Sequence, residues 1–502
     1  MFNQSETVAT LAIVLVALGF LIWGYNRSRP YGKLGILAWL QSVVLITPWL
    51  LFFGLVALGI YINLIGVILL LVISSGIYIY LGNRLRSEGQ EAILRERAAQ
   101  RLAQQEAAEK AEQSPPPRLE TGAPRTSDLI PIPDEDLQKI KGIFGIDSFF
   151  ATETISYQEG AIFKGNLRGE PEKVYEKLSD HLTQALGEKY RLFLVDSPEG
   201  KPVVIILPSA NDPRPATLAQ KNLALVLLIA TIATSLEAAA LLLGFDWFSD
   251  LGRYSEALPI SAGLWFILAA HEGGHWLFAR RHNLRLSFPF LLPSWQIGCF
   301  GSITRFESLV PHRSALFDVA IAGPALGGIV SFLMLITGLL LSHPGSLFKI
   351  PTEFFQGSVL VGTLAKVVLG SALEASIIDV HPLTMIGWLG LVITALNLMP
   401  AGQLDGGRVI QAIYGRKTAR RTTIATLIVL GLVAIFSPGN PIPLYWGILI
   451  LFLQRDLERP TLNELTEPDD TRAALGLLAL FLMLATLVPL SPSLAIRLGI
   501  GA

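Results

Sequence analysis

The stretch AAHEGGHWLFARRH, residues 269–282, raises the question that decides the fold and function of this chain. It continues the apolar run LPISAGLWFILAA, yet it contains His271, Glu272 and His275. An ionised side chain at the centre of a membrane costs about 2.5–3.5 kcal/mol on insertion scales, so ionisable residues in such a run are candidates for function. A chance match near a helix end is the alternative, and the apolar surroundings favour the functional interpretation.

The spacing of these three residues is typical of a zinc site. Residues i and i+4 lie on one face of an α-helix, so His271 and His275 can bind the same ion. Glu272 lies about 100° around the helix from His271, where it can accept a proton from a water molecule on that ion. Two imidazoles, a carboxylate and a water form a common catalytic zinc site, in which the pKa of the water falls to about 7. The motif therefore predicts Zn²⁺ as cofactor and Glu272 as general base.

A third protein ligand is expected in the stretch ALNLMPAGQLDGGRVIQ, residues 395–411. Asp405 follows an apolar span and lies, in the predicted topology, toward the same side of the membrane as the two histidines. Pro400 and Gly402 would break the helix, and non-helical backbone at membrane depth is tolerated where it lines a cavity. An ordinary turn at the membrane interface is the alternative for LDGG. Arg408, which follows that turn, is expected to contact lipid headgroups.

The composition indicates a membrane protein. The 502 residues are 51% hydrophobic and 16% charged, with a mean hydropathy of +0.51, whereas soluble proteins carry about 25% charged residues. Several apolar runs reach the roughly 18 residues that suggest a transmembrane helix, so the lipid bilayer is an expected partner. The net charge of −1 gives no reason to expect a nucleic-acid partner, and the single cysteine, Cys299, excludes an intrachain disulfide.

We predict a mainly α-helical, polytopic membrane bundle of about ten spans with a small cytoplasmic α/β domain. Clusters of Lys and Arg lie on one side of the spans, which the positive-inside rule assigns to the cytoplasm, and the two histidines lie toward that side. An N-terminal membrane region with three spans is predicted at residues 1–83, followed by a charged helix and Pro-rich linker at 84–133 and the soluble α/β domain at 134–215. The catalytic membrane core is predicted at residues 216–454, and a C-terminal linker with the last span at 455–502. After the soluble domain, the predicted spans are 222–244, 259–280, 317–341, 383–400, 422–437, 442–454 and 472–490.

Two segments are predicted to lie outside the membrane. In the soluble domain, FFATETISYQ and AIFKGNLRG form one predicted strand pair, YRLFLVDS and PVVIILPS form a second, and PEKVYEKLSDHLTQALG forms an amphipathic helix between them. Residues 84–113 carry Glu–Arg pairs at helical spacing, which predicts a solvated helix or a short coiled coil. A homodimer formed through that helix is possible, and the sequence leaves it open.

The pairing of HEGGH with NLMPAGQLDGG on a later span resembles the site-2 protease family of intramembrane zinc metalloproteases. The pattern of that family is H-E-x-x-H followed by N-x-x-P-x-x-x-L-D-G. The second part is matched at the same spacing by Asn397, Pro400, Leu404, Asp405 and Gly406. The two motifs, in this order and on apolar spans, place the family core at about residues 222–454.

The resemblance implies a role for each motif residue. His271, His275 and Asp405 would bind zinc, and Glu272 would be the general base. Asn397 would steady the substrate strand or the oxyanion. The substrate would be a transmembrane segment of another protein, cut near its cytoplasmic end.

Other segments extend the resemblance. GNLRG at 165–169 and the stretch 381–407 are similar to the cyanobacterial and chloroplast branch of the family, the EGY-type group. Unlike better-known bacterial relatives, the chain has no evident PDZ insertion between its catalytic spans. Residues 288–306 are predicted to form a hairpin or re-entrant loop that would offer an edge strand to the substrate, with an ordinary interfacial loop as the alternative. The small residues of FDVAIAGPALGG, residues 317–328, predict close helix packing.

The expected location is a bacterial, specifically cyanobacterial, plasma or thylakoid membrane, with the active site toward the cytoplasm. The reason is that no Arg- and Ser-rich transit peptide precedes the first apolar run, although an organelle protein in mature form would look the same. Two other functions remain as alternatives. An inactive relative could act as a membrane chaperone or adaptor, against which the intact motifs argue. A transporter could use the ionisable residues as a relay, but no inverted repeat supports it.

Overall fold

The computed structural model describes residues 132–500 apart from positions 158, 198, 295, 296, 438 and 455, together with most of 22–57 and part of 74–85. Helix α1 (Gly32–Ala57) lies within the long apolar run of the N-terminal region. The predicted span 7–25, the charged helix 84–113 and the Pro-rich linker lie almost entirely outside the described residues. The chain divides into two units, Met1–Thr126 with Leu432–Pro441, and Ser127–Gly431 with Ile442–Ala502.

The second unit begins with a small α/β fold. Its elements are α2 (Asp134–Lys141), β1 (Phe149–Tyr157), β2 (Gly160–Leu167), α3 (Pro171–Leu186), β3 (Tyr190–Asp196) and β4 (Pro202–Pro208). The four strands form one antiparallel sheet in the order β1-β2-β4-β3. Helix α3 buries Val174, Leu178 and Leu182, which lie four residues apart on one face. The predicted strand pairs and the helix between them are confirmed.

Helices dominate the rest of this unit. The elements follow in the order α4 (Leu218–Leu242), α5 (Tyr254–Arg281), β5 (Phe290–Ser294), β6 (Gly298–Ile303), α6 (Arg313–Leu341), β7 (Phe348–Pro351), α7 (Val359–Leu369), β8 (Ile377–Val380), α8 (Pro382–Asn397), α9 (Asp405–Phe436), α10 (Ile442–Leu449), α11 (Asp470–Leu487) and α12 (Pro492–Leu498). Strands β5 and β6 pair antiparallel, so the segment 288–306 contains the predicted hairpin.

Four helices of the described residues are long and apolar enough to cross a membrane: α4, α6, α9 and α11. Helix α5 has 28 residues, which is also a spanning length, but its HEGGH motif interrupts the apolar sequence. The mainly helical fold with a small sheet domain is therefore confirmed. The number of about ten spans stays a prediction, because much of the N-terminal region lies outside the described residues.

The region around Asp405 differs from the prediction in one respect. As predicted, Asp405 follows the apolar span, whose helix ends at Asn397, but it is also the first residue of α9, which begins well before the span predicted at 422–437. Helix α9 contains a break at Gly415 (φ 78°). A carboxylate in the first turn of a helix is favoured by the partial positive charge of the exposed N–H groups there.

Glycines bring α5 and α6 close together at the motif. A Cβ atom on Gly274 would clash with the backbone of Ala322, and one on Gly323 would clash with the ring of His275. A Cβ on Gly327 would lie 3.0 Å from Cβ of His271. The predicted close packing along residues 317–328 is therefore confirmed, and it is what encloses the two histidines.

Candidate metal centre

Three side chains from two helices converge in the interior of the core. Nε2 of His271 and Nε2 of His275, both on α5, lie 3.2 Å apart. Oδ2 of Asp405, at the start of α9, lies 3.3 Å from the first nitrogen and 3.4 Å from the second. All three residues are buried, and each offers one ligand atom within 4.8 Å of the others.

These distances match the ligand geometry of a tetrahedral zinc ion. Ligand atoms about 2.0–2.1 Å from such an ion lie about 3.3–3.4 Å from one another. The three separations of 3.2, 3.3 and 3.4 Å therefore fit one triangular face of the tetrahedron, which leaves the fourth corner open. The two-imidazole, one-carboxylate donor set is that of catalytic rather than structural zinc sites.

A backbone carbonyl fixes the orientation of one imidazole. Nδ1 of His275 lies 2.8 Å from the carbonyl oxygen of Val319 on α6, so Nδ1–H donates to that oxygen. A neutral imidazole protonated at Nδ1 has its lone pair on Nε2, the atom that faces Asp405. This outer hydrogen bond is the kind that orients histidine ligands in metal sites.

Glu272 is hydrogen-bonded to the region of the β5–β6 hairpin. The hydroxyl of Ser302 donates to its Oε1, and the hydroxyl of Thr304 donates to its Oε2 at 2.9 Å. Two hydrogen bonds of this kind, one to each oxygen, hold the carboxylate in one orientation. Ser302 and Thr304 were not among the residues predicted from the sequence, although both lie in the predicted hairpin segment 288–306, where residues two apart share a face.

Asn397 contacts the same hairpin through its side-chain amide. Its Nδ2 donates to the carbonyl oxygen of Phe300 on β6 at 3.3 Å and to that of Ile393 on its own helix at 2.8 Å. Gly301 leaves the space that Asn397 fills, because a Cβ at position 301 would clash with the amide group. Asn397 therefore packs against the strand whose Ser302 contacts Glu272. It is not one of the three residues whose ligand atoms meet in the metal centre.

The LDGG turn needs both of its glycines. A Cβ atom on Gly406 would clash with the carbonyl of Leu398, and one on Gly407 would clash with that of Gly402. Helix α9 can therefore start close against the turn that follows α8, which sets the depth of Asp405.

The expectation that Arg408 contacts lipid headgroups is wrong. Arg408 is 4% exposed, and its guanidinium pairs with Glu458 at 2.8–2.9 Å. Sequence reasoning missed Glu458, which follows the last core span by a few residues and belongs to no apolar or periodic pattern. A buried guanidinium requires such a partner because an unpaired charge in the interior is costly.

Residues 457–464, which we call the bridging segment, tie the soluble domain to the core. The amide of Leu194 on β3 donates to the carbonyl of Leu462 at 2.8 Å, and the amide of Glu464 donates to the carbonyl of Leu194 at 2.9 Å. On the other side, the amides of Leu462 and Asn463 donate to the carbonyls of Val310 and Pro311, both at 2.9 Å. The segment therefore extends the outer strand of the soluble sheet and meets the N-terminus of α6.

Comparisons with known proteins give the family. The profile of peptidase family M50 matches residues 259–437, a range that contains both the HEGGH and the NLMPAGQLDGG motifs. The EGY3 middle domain profile matches residues 138–213. The chain is 38% identical to the probable zinc metalloprotease EGY2, chloroplastic, of Arabidopsis thaliana over 373 residues, covering 72% of this chain and 66% of that protein. It is 35% identical to the probable zinc metalloprotease EGY1, chloroplastic, of the same plant over 409 residues, covering 73% of each.

The third type of relative is more distant. The probable zinc metallopeptidase EGY3, chloroplastic, of Arabidopsis thaliana is 32% identical over 376 residues, covering 70% of this chain and 65% of that protein. No solved structure matches the chain. On the matching profile and the extent of these similarities, the chain belongs to peptidase family M50, the site-2 proteases.

Proposed function

We propose that the protein is an intramembrane zinc metalloprotease in which His271, His275 and Asp405 hold the ion and Glu272 is the general base. The observation that carries the proposal is the triangle of ligand atoms, with sides of 3.2, 3.3 and 3.4 Å. Two imidazole nitrogens and a carboxylate oxygen face each other in a buried site, an arrangement that a divalent cation stabilises. The names of the curated relatives, all probable zinc metalloproteases or metallopeptidases, agree with it.

The protein residues then have separate tasks in peptide hydrolysis. A bound zinc ion would supply Lewis acidity and lower the pKa of a water molecule. Glu272 takes the proton of the attacking water and later gives a proton to the leaving amine. Ser302 and Thr304 hold the carboxylate of Glu272 in place. Asn397 positions the substrate indirectly, since it holds the β6 strand at Phe300.

The β5–β6 hairpin is our candidate for substrate binding. In the described residues it is a two-stranded sheet, so its outer edges carry no further strand. A transmembrane helix must unwind before its peptide bond can be cut, and an extended segment can add to the edge of a sheet. The contact between this hairpin and Glu272 would place such a segment beside the general base.

We further propose that the protein is a multi-pass membrane protein of about ten spans with its site toward the cytoplasm, or toward the stroma if it resides in a plastid. The basic clusters after the predicted spans support this orientation, as do Arg280 and Arg281 in the last turn of α5, a few residues beyond His275. The cyanobacterial origin and the location in a plasma or thylakoid membrane, both predicted from the sequence, belong to the same proposal.

The test compares wild type with Glu272→Gln and, as a matched control on the same helix, Glu256→Gln. Glu256 is exposed and pairs with Arg253 in the first turn of α5. Each protein is purified in detergent, its zinc is measured by mass spectrometry, and cleavage of a model transmembrane substrate is followed.

We expect about one zinc per chain in all three proteins and cleavage that only Glu272→Gln abolishes. Zinc without cleavage of any of several substrates would favour the adaptor. Absence of zinc from the wild type would overturn the protease proposal and favour the transporter.

A further inference from the structure

The guanidinium group of Arg408 contacts both halves of the candidate site. Its Nη2 donates to the backbone carbonyl of Thr304 at 2.8 Å, and its Nη1 lies 3.9 Å from Oδ1 of Asp405. Thr304 is the residue whose hydroxyl holds Glu272, and Asp405 is the carboxylate that faces the histidines. One buried side chain thus stands between the general base and the carboxylate ligand.

The two oxygens of Asp405 face different partners. Oδ2 faces the two histidine nitrogens at 3.3 and 3.4 Å, whereas Oδ1 is the oxygen nearest Arg408. A cation on the Oδ1 side resists rotation of the carboxylate and compensates part of its charge. Arg408 therefore has the position of an outer partner of a metal ligand.

Glu458 fixes the orientation of Arg408. Its Oε2 accepts from Nε of Arg408 at 2.9 Å and lies 2.8 Å from Nη2. The backbone of Glu458 is held in turn, because its carbonyl accepts from Nε2 of Gln411 at 3.2 Å and from Nη1 of Arg416. The planar guanidinium lies over the ring of Phe306, 5.0 Å from its centroid. These contacts leave the guanidinium one orientation, in which it reaches Thr304 and Asp405 together.

We propose that Arg408 is a positioning residue that sets Asp405 and Glu272 relative to each other, and that Glu458 of the bridging segment orients it. The inference rests on the proposed function of the site, since it assigns a role within the same reaction. Lysine cannot replace arginine here, because a single ammonium group does not reproduce the planar fork that meets a carboxylate, a carbonyl and a second carboxylate at once.

The experiment uses the full-length protein with Arg408→Lys, Arg408→Met and Glu458→Gln, and with Arg420→Met as the matched control. Arg420 is an exposed arginine on the same helix and is not among the residues that hold Glu458, Thr304 or Asp405. Three quantities are measured: zinc affinity by competition with a chelator, the visible spectrum of the Co²⁺-substituted protein, and kcat and KM on the transmembrane substrate.

We expect the Arg408 variants and Glu458→Gln to weaken zinc binding about 10- to 100-fold, as is usual for the loss of an outer partner of a ligand. The Co²⁺ spectrum should change, and kcat should fall about tenfold or more with KM nearly constant, since the reacting groups and not the substrate contacts are displaced. Arg420→Met should match the wild type in all three measurements. Arg408→Lys and Glu458→Gln keep a polar side chain at each buried position. These two variants therefore test the inference even if Arg408→Met does not fold.

Wild-type zinc affinity, Co²⁺ spectrum and kcat in folded Arg408→Lys and Glu458→Gln would overturn this inference and leave the proposed function intact. An equal loss in Arg420→Met would also overturn it, because the effect would then follow from removing any arginine of α9 and not from the contacts of Arg408. Failure of the wild type to bind zinc or to cleave in a Glu272-dependent way would instead overturn the proposed function.

Discussion

Oδ2 of Asp405 lies 3.3 Å from Nε2 of His271, although the two residues lie on different helices, between which the sequence places the β5–β6 hairpin, the β7–β8 pair and helices α6, α7 and α8. The approach depends on two tight features, the glycine contacts that press α6 against α5 and the LDGG turn that sets the start of α9. The site is therefore a product of backbone packing as much as of its three ligand residues.

Asp405→Asn should abolish zinc binding at physiological concentrations and, with it, proteolysis. The amide keeps the shape of the side chain but removes the charge that faces the two imidazoles. The loss of zinc affinity should exceed the roughly 10- to 100-fold that accompanies loss of an outer hydrogen bond. Zinc content by mass spectrometry is the measurement. Asp379→Asn, which makes the same change at a carboxylate that accepts from the amide of Gly345, is the control and should retain zinc.

Ser302→Ala and Thr304→Val should lower kcat without lowering zinc content. Each variant removes one hydroxyl donor from the carboxylate of Glu272, and a hydrogen bond to a charged group contributes about 1.5–3 kcal/mol. We expect kcat to fall roughly 10- to 100-fold for each variant, at 1.4 kcal/mol per tenfold. Steady-state cleavage and zinc content are measured together. A kcat at the wild-type value in both variants would mean that the hairpin does not hold the general base.

The two glycines inside HEGGH should respond differently to alanine. A Cβ on Gly274 would clash with the backbone of Ala322, whereas a Cβ on Gly273 would meet nothing within 4 Å. Overpacking a tight contact costs about 1–3 kcal/mol and shifts the backbone, so Gly274→Ala should lower both thermal stability and zinc affinity. Gly273→Ala should leave both at wild-type values. Equal behaviour of the two variants in a thermal melt with zinc titration would contradict the helix contact described above.

Leu462→Pro should loosen the soluble domain from the core. Proline removes the amide that donates to Val310 and constrains the backbone next to the carbonyl that accepts from Leu194. Hydrogen exchange of the full-length protein should become roughly fivefold faster or more at the amide of Leu194, because each such bond contributes roughly 1 kcal/mol. Leu462→Ala keeps the backbone bonds and serves as the control. Slow exchange at Leu194 in the proline variant would show that the bridging segment does not hold β3.

The parts of the structure that follow from local patterns could be predicted from the sequence. HEGGH gave a helix with two histidines on one face because that relation depends only on helical periodicity. The strands of the soluble domain could be predicted from alternation, and Asp405 from its motif. Asn397 was identified too, but its contact with Phe300 depends on how the hairpin lies over α8, which no local pattern specifies.

Arg408 shows why the rest could not be predicted. An arginine near a membrane interface usually reaches toward headgroups, and the surrounding sequence gives no sign of burial. Its partner Glu458 comes 50 residues later in a segment with neither helical nor strand periodicity. Contacts of this kind are decided by tertiary packing, since the segment takes its shape from the groups it bridges.

The position of Glu458 in the chain also affects the order in which the protein is completed during synthesis. A growing polypeptide presents HEGGH first, then Asp405 and Arg408, and only later the bridging segment. Until residues 457–464 have emerged, Arg408 lacks its carboxylate partner and β3 lacks the strand that ties it to the core. Because Glu458 orients Arg408, the general base and the carboxylate ligand would take their final relative positions only after Glu458 has been synthesised. A nascent chain would then remain without a finished active site while its own transmembrane helices are still being inserted.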